Sequence, residues 1–338
     1  MILKKNWLYT PDFQKRLAIQ AWKEVELVEI IATCLMTIRS LDLRDLPHLY
    51  RLRGDAVGLD STRTLTRGNP LGAAGLMAYV NPARHIYASI ADGDGVNLLG
   101  GIIHTRGESF AKLLYLAPSS RLDHPDLPAL IDHLSSEAGN WGAFHVLAEV
   151  NESSNAFDGL RKAAFSVYAW QRMWNISQVP EANSKSGWAR VDAIHWNAVQ
   201  SLYQQIVPPL LHPVEPIPLR AVGWMYDTSM KCYVSVTQGV YGIVLTPLIH
   251  PEVADVSSKL ISLVSHLPDR RNRPIYLCVR SYQAWLEPAL EDLGARAGER
   301  QAVMVKHLTR LVKDEQSVLA TQPSGVSVQP SRVSRIHK

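Results

Sequence analysis

The chain has 338 residues, 46% hydrophobic and 20% charged, the balance of a globular protein with room for two ordinary domains. Its 35 Lys and Arg against 31 Asp and Glu leave a formal charge of +4, scattered with no dense basic run and no interleaved aromatic ladder, which argues against nucleic acid as a partner. Three widely spaced cysteines exclude a zinc ribbon and argue against a disulfide framework, and no apolar run reaches the roughly 18–20 residues of a membrane span; the expected setting is the cytoplasm, with no membrane partner.

Residues 1–34 mix acids, bases and apolar positions without a signal-peptide block and read as a helical extension. Residues 35–39 predict a strand, and Leu43, Leu46, Leu49, Tyr50 and Leu52 then fall near helical spacing behind Asp42 in a capping position. "RHIYASIADGDGVNLLGGIIH" (84–104) predicts two strands joined by an Asp-Gly-Asp-Gly turn. A calcium loop would need further acidic ligands and a closing Glu that are absent. "FAKLLYLA" (110–117) continues as a strand, followed by a loop and a helix. "FHVLAEV" (144–150) is apolar at nearly every position, the mark of a strand covered on both faces. A short helix around 155–163 and the strand "FSVYAWQRMWN" (165–175) complete the unit. In that strand Tyr168, Trp170, Arg172 and Trp174 alternate onto one face, which either walls a groove or packs between two halves of the chain. The polar stretch 177–187 reads as a linker, and the tail from 316 onward, rich in Ser and Pro, as disordered.

An internal repeat organises these elements. "LAP" (116–118) and "LTP" (245–247) each end a strand before a helix. The separations Pro118 to Val150 and Pro247 to Val279 are both 32 residues, so "VLAEV" and "IYLCV" occupy equal places. Beyond them Leu160 matches Leu290 and Gln171 matches Gln301 after a slip of one residue. The second copy opens near "GWARVDAIHWNAVQSLYQQIVPPL", again strand then helix.

Strand and helix, an antiparallel run, then loop, helix, strand, helix and strand is an order that resembles the GNAT acyltransferase superfamily. "LMTIRSLDLRDLPHLYRL" looks like its opening strand and helix, "LLGGII" like its third strand, and "VNESSNAFDGLRKAAF" like its closing segment. The resemblance covers most of 35–175 and, more faintly, 187–312. It implies an α/β (α+β) chain of two tandem GNAT-like units, each a mixed twisted sheet flanked by helices, over 35–178 and 187–315. It also implies an acetyl-CoA or other acyl-CoA co-substrate lying in a gap between neighbouring strands, and acyl transfer to a small-molecule or peptide amine. The family holds the CoA pyrophosphate on an Arg/Gln-x-x-Gly-x-Gly/Ala loop at a helix N-terminus. Lining up Pro118 puts Arg121 on the family's Arg, and the implied cofactor residues are Leu116, Ala117, Arg121, Leu122 and His124. His124 and Asp126 stand where the family has small residues; in the second copy Val253 and Asp255 do, with His250 in the Arg place. A carboxylate beside a pyrophosphate opposes binding, and Asp126 reads equally as a helix cap.

Glu149 is the one acid inside an otherwise apolar strand, where burial would raise its pKa toward that of a useful general base; the alternative is a salt bridge or a sheet-edge position open to water. Asn151 could orient a water or simply begin a turn. The family's thiolate-protonating Tyr falls on Leu160 and Leu290, neither of which can donate a proton. That loss and the altered loops support the other reading, a non-catalytic GNAT-fold protein that binds a ligand or a protein. The 12 histidines lack ligand spacing with Cys or paired acids, which argues against a metal site.

Overall fold

The computed structural model describes residues 37–72, 75, 85–93, 96–177, 187–217, 222–226, 230–268 and 270–308. The expected leading helix, most of the linker and the tail from 316 lie outside them.

Thirteen strands and seven helices are described. The strands are β1 (Thr37–Ser40), β2 (Val57–Gly58), β3 (His85–Gly93), β4 (Val96–His104), β5 (Phe110–Ala117), β6 (His145–Asn151), β7 (Ser166–Asn175), β8 (Trp188–Arg190), β9 (Val222–Tyr226), β10 (Cys232–Gln238), β11 (Ile243–Ile249), β12 (Ile275–Arg280) and β13 (Arg296–His307). The helices are α1 (Leu46–Arg51), α2 (Ser61–Arg67), α3 (Leu127–Asn140), α4 (Asn155–Lys162), α5 (Trp196–Ile206), α6 (Val256–His266) and α7 (Glu287–Asp292).

Local signals explain several boundaries. Before α1 the reaching carboxylate is Asp45 and not the expected Asp42: its Oδ2 accepts from the Asp42 N–H at 3.0 Å, and Arg39 forks onto it at 2.6 and 2.9 Å. The α4 start is capped by Ser154, whose Oγ accepts from the Ala156 N–H, and Arg161 and Lys162 complement the dipole in its last turn.

All the strands join one sheet of order β1-β3-β4-β5-β6-β13-β7-β12-β11-β10-β9-β8, with β2 pairing β5 off that path. Under the sequence repeat, β1 and β3–β7 correspond to β8–β13, so this order reads the same from either edge. At its centre β13 and β7 run antiparallel, and Gln301 stands opposite Gln171, the pair that the repeat makes equivalent. Gln301 also faces Asn151 on β6, while Gln171 faces Arg280 on β12, again equivalent partners. Each half therefore places its last strand beside the penultimate strand of the other: β13 pairs with β6, and β7 with β12.

Helices cover both faces. Leu130, Ile131 and Leu134 of α3 and Leu160 of α4 pack with the inward residues of β4–β6 and β13 in one core. Leu260, Leu263 and Leu290 of α6 and α7 form the matching core over β10–β12. On the opposite face α1 packs over β3–β5 and α5 over β9–β11. The expectation that Tyr168, Trp170, Arg172 and Trp174 share a face fails at its first member. A bulge opposite Val303 and Met304 skips Tyr168, which turns toward Leu147 and Val305, whereas Trp170 and Trp174 join the helix-covered cores.

Candidate functional site

The parallel pair β5–β6 is bonded only from Phe110–Lys112 against His145–Leu147, and beyond those residues the strands part. A bulge at Leu114, where the register with β4 shifts, aims its carbonyl into the opening. Into this gap the chain inserts its own residues 57–61. Val57 and Gly58 pair antiparallel with Leu116 and Tyr115, the Leu59 N–H donates to Leu114 O at 2.9 Å, and the Glu149 N–H donates to Leu59 O at 2.8 Å. Leu59 thus acts as a one-residue strand bonded to both sides, with its fully buried side chain in the α3 core.

The second half repeats the arrangement with a side chain. β11 and β12 pair from Ile243–Leu245 against Ile275–Leu277 and then part. Gln283, 1% exposed, bridges the β11 edge: its Nε2 donates to Pro247 O at 2.9 Å and its Oε1 accepts from the Ile249 N–H at 3.1 Å. A side-chain amide here makes the two bonds that a neighbouring strand would make.

The loop expected to cradle a pyrophosphate is likewise occupied from within. Leu116 and Ala117 are fully buried, Leu116 against Val57, and Leu122 anchors the loop in the core beneath α3. The Ser119 N–H donates to Asp55 Oδ1 at 3.0 Å and to Asp55 O at 2.8 Å, so a carboxylate of the chain holds the turn's donor. Arg121 is exposed at the end of that turn. Asp126 stands at the N-cap of α3 but its side chain accepts no capping bond; its own N–H goes to His124 Nδ1 at 3.3 Å. In the second half the Glu252 N–H donates likewise to His250 Nδ1 at 3.3 Å, although the repeat sets His250 opposite Arg121 and not His124.

Behind the inserted segment lies a buried polar cluster at the centre of the sheet. Glu149, the expected base, accepts from the Ser61 N–H at 2.9 Å and lies 3.8 Å from Arg280 Nη2. Arg280 also pairs with Glu215 at 3.2 Å and donates to Gln171 Oε1. Lys112 stands 3.4 Å from Asp60. Burial opposes the Lys112 charge, but the Asp60 and Glu149 carboxylates outweigh it and hold its pKa above the ordinary value. Burial also opposes the Arg280 charge, and Glu215 leads the groups that overcome it. Burial, then Glu215, pushes the Tyr168 phenol far above its usual range, so it stays protonated. Asp60, Lys112, Glu149, Tyr168 and Arg280 line, together with Leu59, Leu147 and Val303, a cavity of about 10 Å³, roughly the space of one water.

From this cluster an amide chain leads outward. Gln171 donates to Gln301 at 2.9 Å, Ser61 Oγ donates to the same Gln301 oxygen at 2.8 Å, and Gln301 donates to Asn151 Oδ1 at 2.9 Å. Asn151 then donates to Glu299 at 2.5 Å at the wall of a groove of about 400 Å³, also lined by Thr64, Leu65, Ser154, Met173 and Tyr276. The structure therefore brings Glu149 and Asn151 into one network and keeps Arg121 and His124 on the separate loop. Sequence reading missed Asp60, Lys112, Glu215 and Arg280. Lys112 and Arg280 carried the signal that marked Glu149, a charge in an otherwise apolar strand.

No family model and no curated protein sequence matches the chain. Among solved structures, a GCN5-related N-acetyltransferase from Sphaerobacter thermophilus superposes over 80% of this chain and 95% of its own, at 12% identity and a TM-score of 0.50. The chain has the GNAT fold. A tandem GNAT protein from the clavulanic acid biosynthesis pathway aligns over 81% of this chain and 99% of its own, at 13% identity and a TM-score of 0.49. A GNAT-family acetyltransferase from Colwellia psychrerythraea aligns over 80% and 100%, at 12% identity and a TM-score of 0.43. In this GNAT-fold chain the residues present do not fit an acyl-CoA: the first strand gap is filled by backbone, the second by an amide, and the loop donor by Asp55.

Proposed function

We propose that this chain is a GNAT-fold binding module that works without acyl-CoA. The observation that carries the reading is the closure of the first gap, where Leu59 is hydrogen-bonded to both β5 and β6 and fully buried. A pantetheine arm would have to break both bonds and expose that side chain, at a cost of about 1.5–3 kcal/mol for the leucine alone. The binding surface in this reading is the groove beside Asn151, Glu299 and Gln301, whose lining of hydroxyl, amide and carboxylate groups beside Leu65 and Met173 suits a small polar molecule. Isothermal titration of the full chain with CoA and acetyl-CoA tests it: no heat at millimolar ligand is expected, and saturable micromolar binding overturns it.

A second reading has one observation in its favour. The second gap is closed by a single side chain, which can swing aside where a backbone segment cannot. Acyl transfer from acyl-CoA to a small-molecule or peptide amine would then belong to the second half. Gln283→Ala distinguishes the two readings, since it opens that gap alone: CoA binding gained by the variant favours the transferase, and its continued absence favours the module.

A further inference from the structure

We infer that His145 and His307 together bind one transition-metal ion, zinc being the first expected, where β6 meets β13. The two residues are direct cross-strand partners. The next pair outward, Phe144 and Leu308, is joined by a backbone bond of 2.9 Å from the Leu308 N–H to Phe144 O. His145 and His307 therefore occupy the alternate, non-bonded position of the ladder, where facing side chains approach most closely.

Their Nδ1 atoms stand 3.1 Å apart, with the rings at 90°. Two ring nitrogens at that distance share either a proton or a metal. On one tetrahedral zinc, with bonds of about 2.0–2.1 Å, two nitrogens lie roughly 3.3 Å apart, so the pair needs only a few tenths of an ångström of adjustment. Imidazole also suits copper and nickel. The other facing histidine pair, His85 and His104, does not share this geometry: its ring centroids are 6.2 Å apart and His104 Nε2 already bonds to Glu108 O at 2.9 Å.

Among the described residues no group of three His, Cys, Asp or Glu converges on a metal position, so water completes the coordination of this two-histidine site. His307 is exposed and His145 partly so, which leaves room for it. The site joins the first half's β6 to the strand it receives from the second half, and the ion fastens that strand at its end. The ligands are 162 residues apart in the chain, which is why their spacing gave no motif.

The test is titration of the untagged full chain with zinc chloride and nickel chloride, with magnesium chloride as control. One equivalent of zinc and of nickel is expected to bind, and no magnesium. His307→Ala and His145→Ala should each weaken zinc at least tenfold, while His133→Ala leaves it unchanged. Copper bound to the native chain should show two nitrogen couplings by electron paramagnetic resonance, and one in His307→Ala. Absence of saturable zinc binding at millimolar metal, or native-strength binding by His307→Ala, overturns the proposal.

Discussion

Leu59 does two jobs at one position: its peptide group bridges β5 and β6, and its side chain fills the core under α3. Leu59→Ala keeps the bonds and removes the packing, so it should lower stability by about 2–5 kcal/mol, read from urea unfolding. Below about 1 kcal/mol, the packing role would fail. His124 and Asp126 have the opposite character, because they satisfy each other on a surface loop while the gap beyond them is closed by other residues. The double variant His124→Gly, Asp126→Gly restores small residues to the loop yet should bind no CoA by isothermal titration. Acquired binding would mean that the loop alone had blocked the site. Glu149 shows why an acid in an apolar strand is an ambiguous signal. Its carboxylate serves the Ser61 N–H and Arg280, both supplied by segments remote from it in sequence.

At the scale of elements, strands β10 and β12 each bury a thiol, Cys232 and Cys278, and burial pushes both up to about 12 from the ordinary 9.0. The folded chain then keeps protons that the unfolded chain loses above pH 9, so stability falls as pH rises from there toward 12. Each thiol contributes a slope of about 1.4 kcal/mol per pH unit in that window. Urea unfolding at successive alkaline pH values should show the steeper fall in the native chain and a flatter one in Cys232→Ala, Cys278→Ala; equal slopes would refute the assignment. The strands themselves were largely legible, because period-two alternation and the Asp-Gly hairpin are local signals and β3–β7 formed close to their expected limits. The inserted segment 57–61 was not. Val57 and Gly58 form only a two-residue strand, and what makes them one is the edge of β5, some sixty residues away. The Tyr168 bulge escaped for the same reason, since a register shift is set by the partner strand.

For the whole molecule, the repeat was legible in the sequence, but the exchange of closing strands was not, since equal order within each copy fits either partner. The exchange makes the halves interdependent. A segment ending at residue 177 and one starting at 187 should each fail to form a stable folded monomer, and when mixed should recover one cooperative unfolding transition at equal stoichiometry. Independent folding of either segment, seen by circular dichroism and size exclusion, would contradict this. The β10–β11 hairpin adds a further tie across the halves: a Cβ on Gly239 would lie 2.0 Å from the Thr66 carbonyl at the end of α2, so only glycine permits the close approach. The placement of β13 also bears on birth at the ribosome. The strand that β6 requires is made only after β8–β12, so the first-made half must wait, partly assembled and with a raw strand edge showing, until β13 has left the exit tunnel.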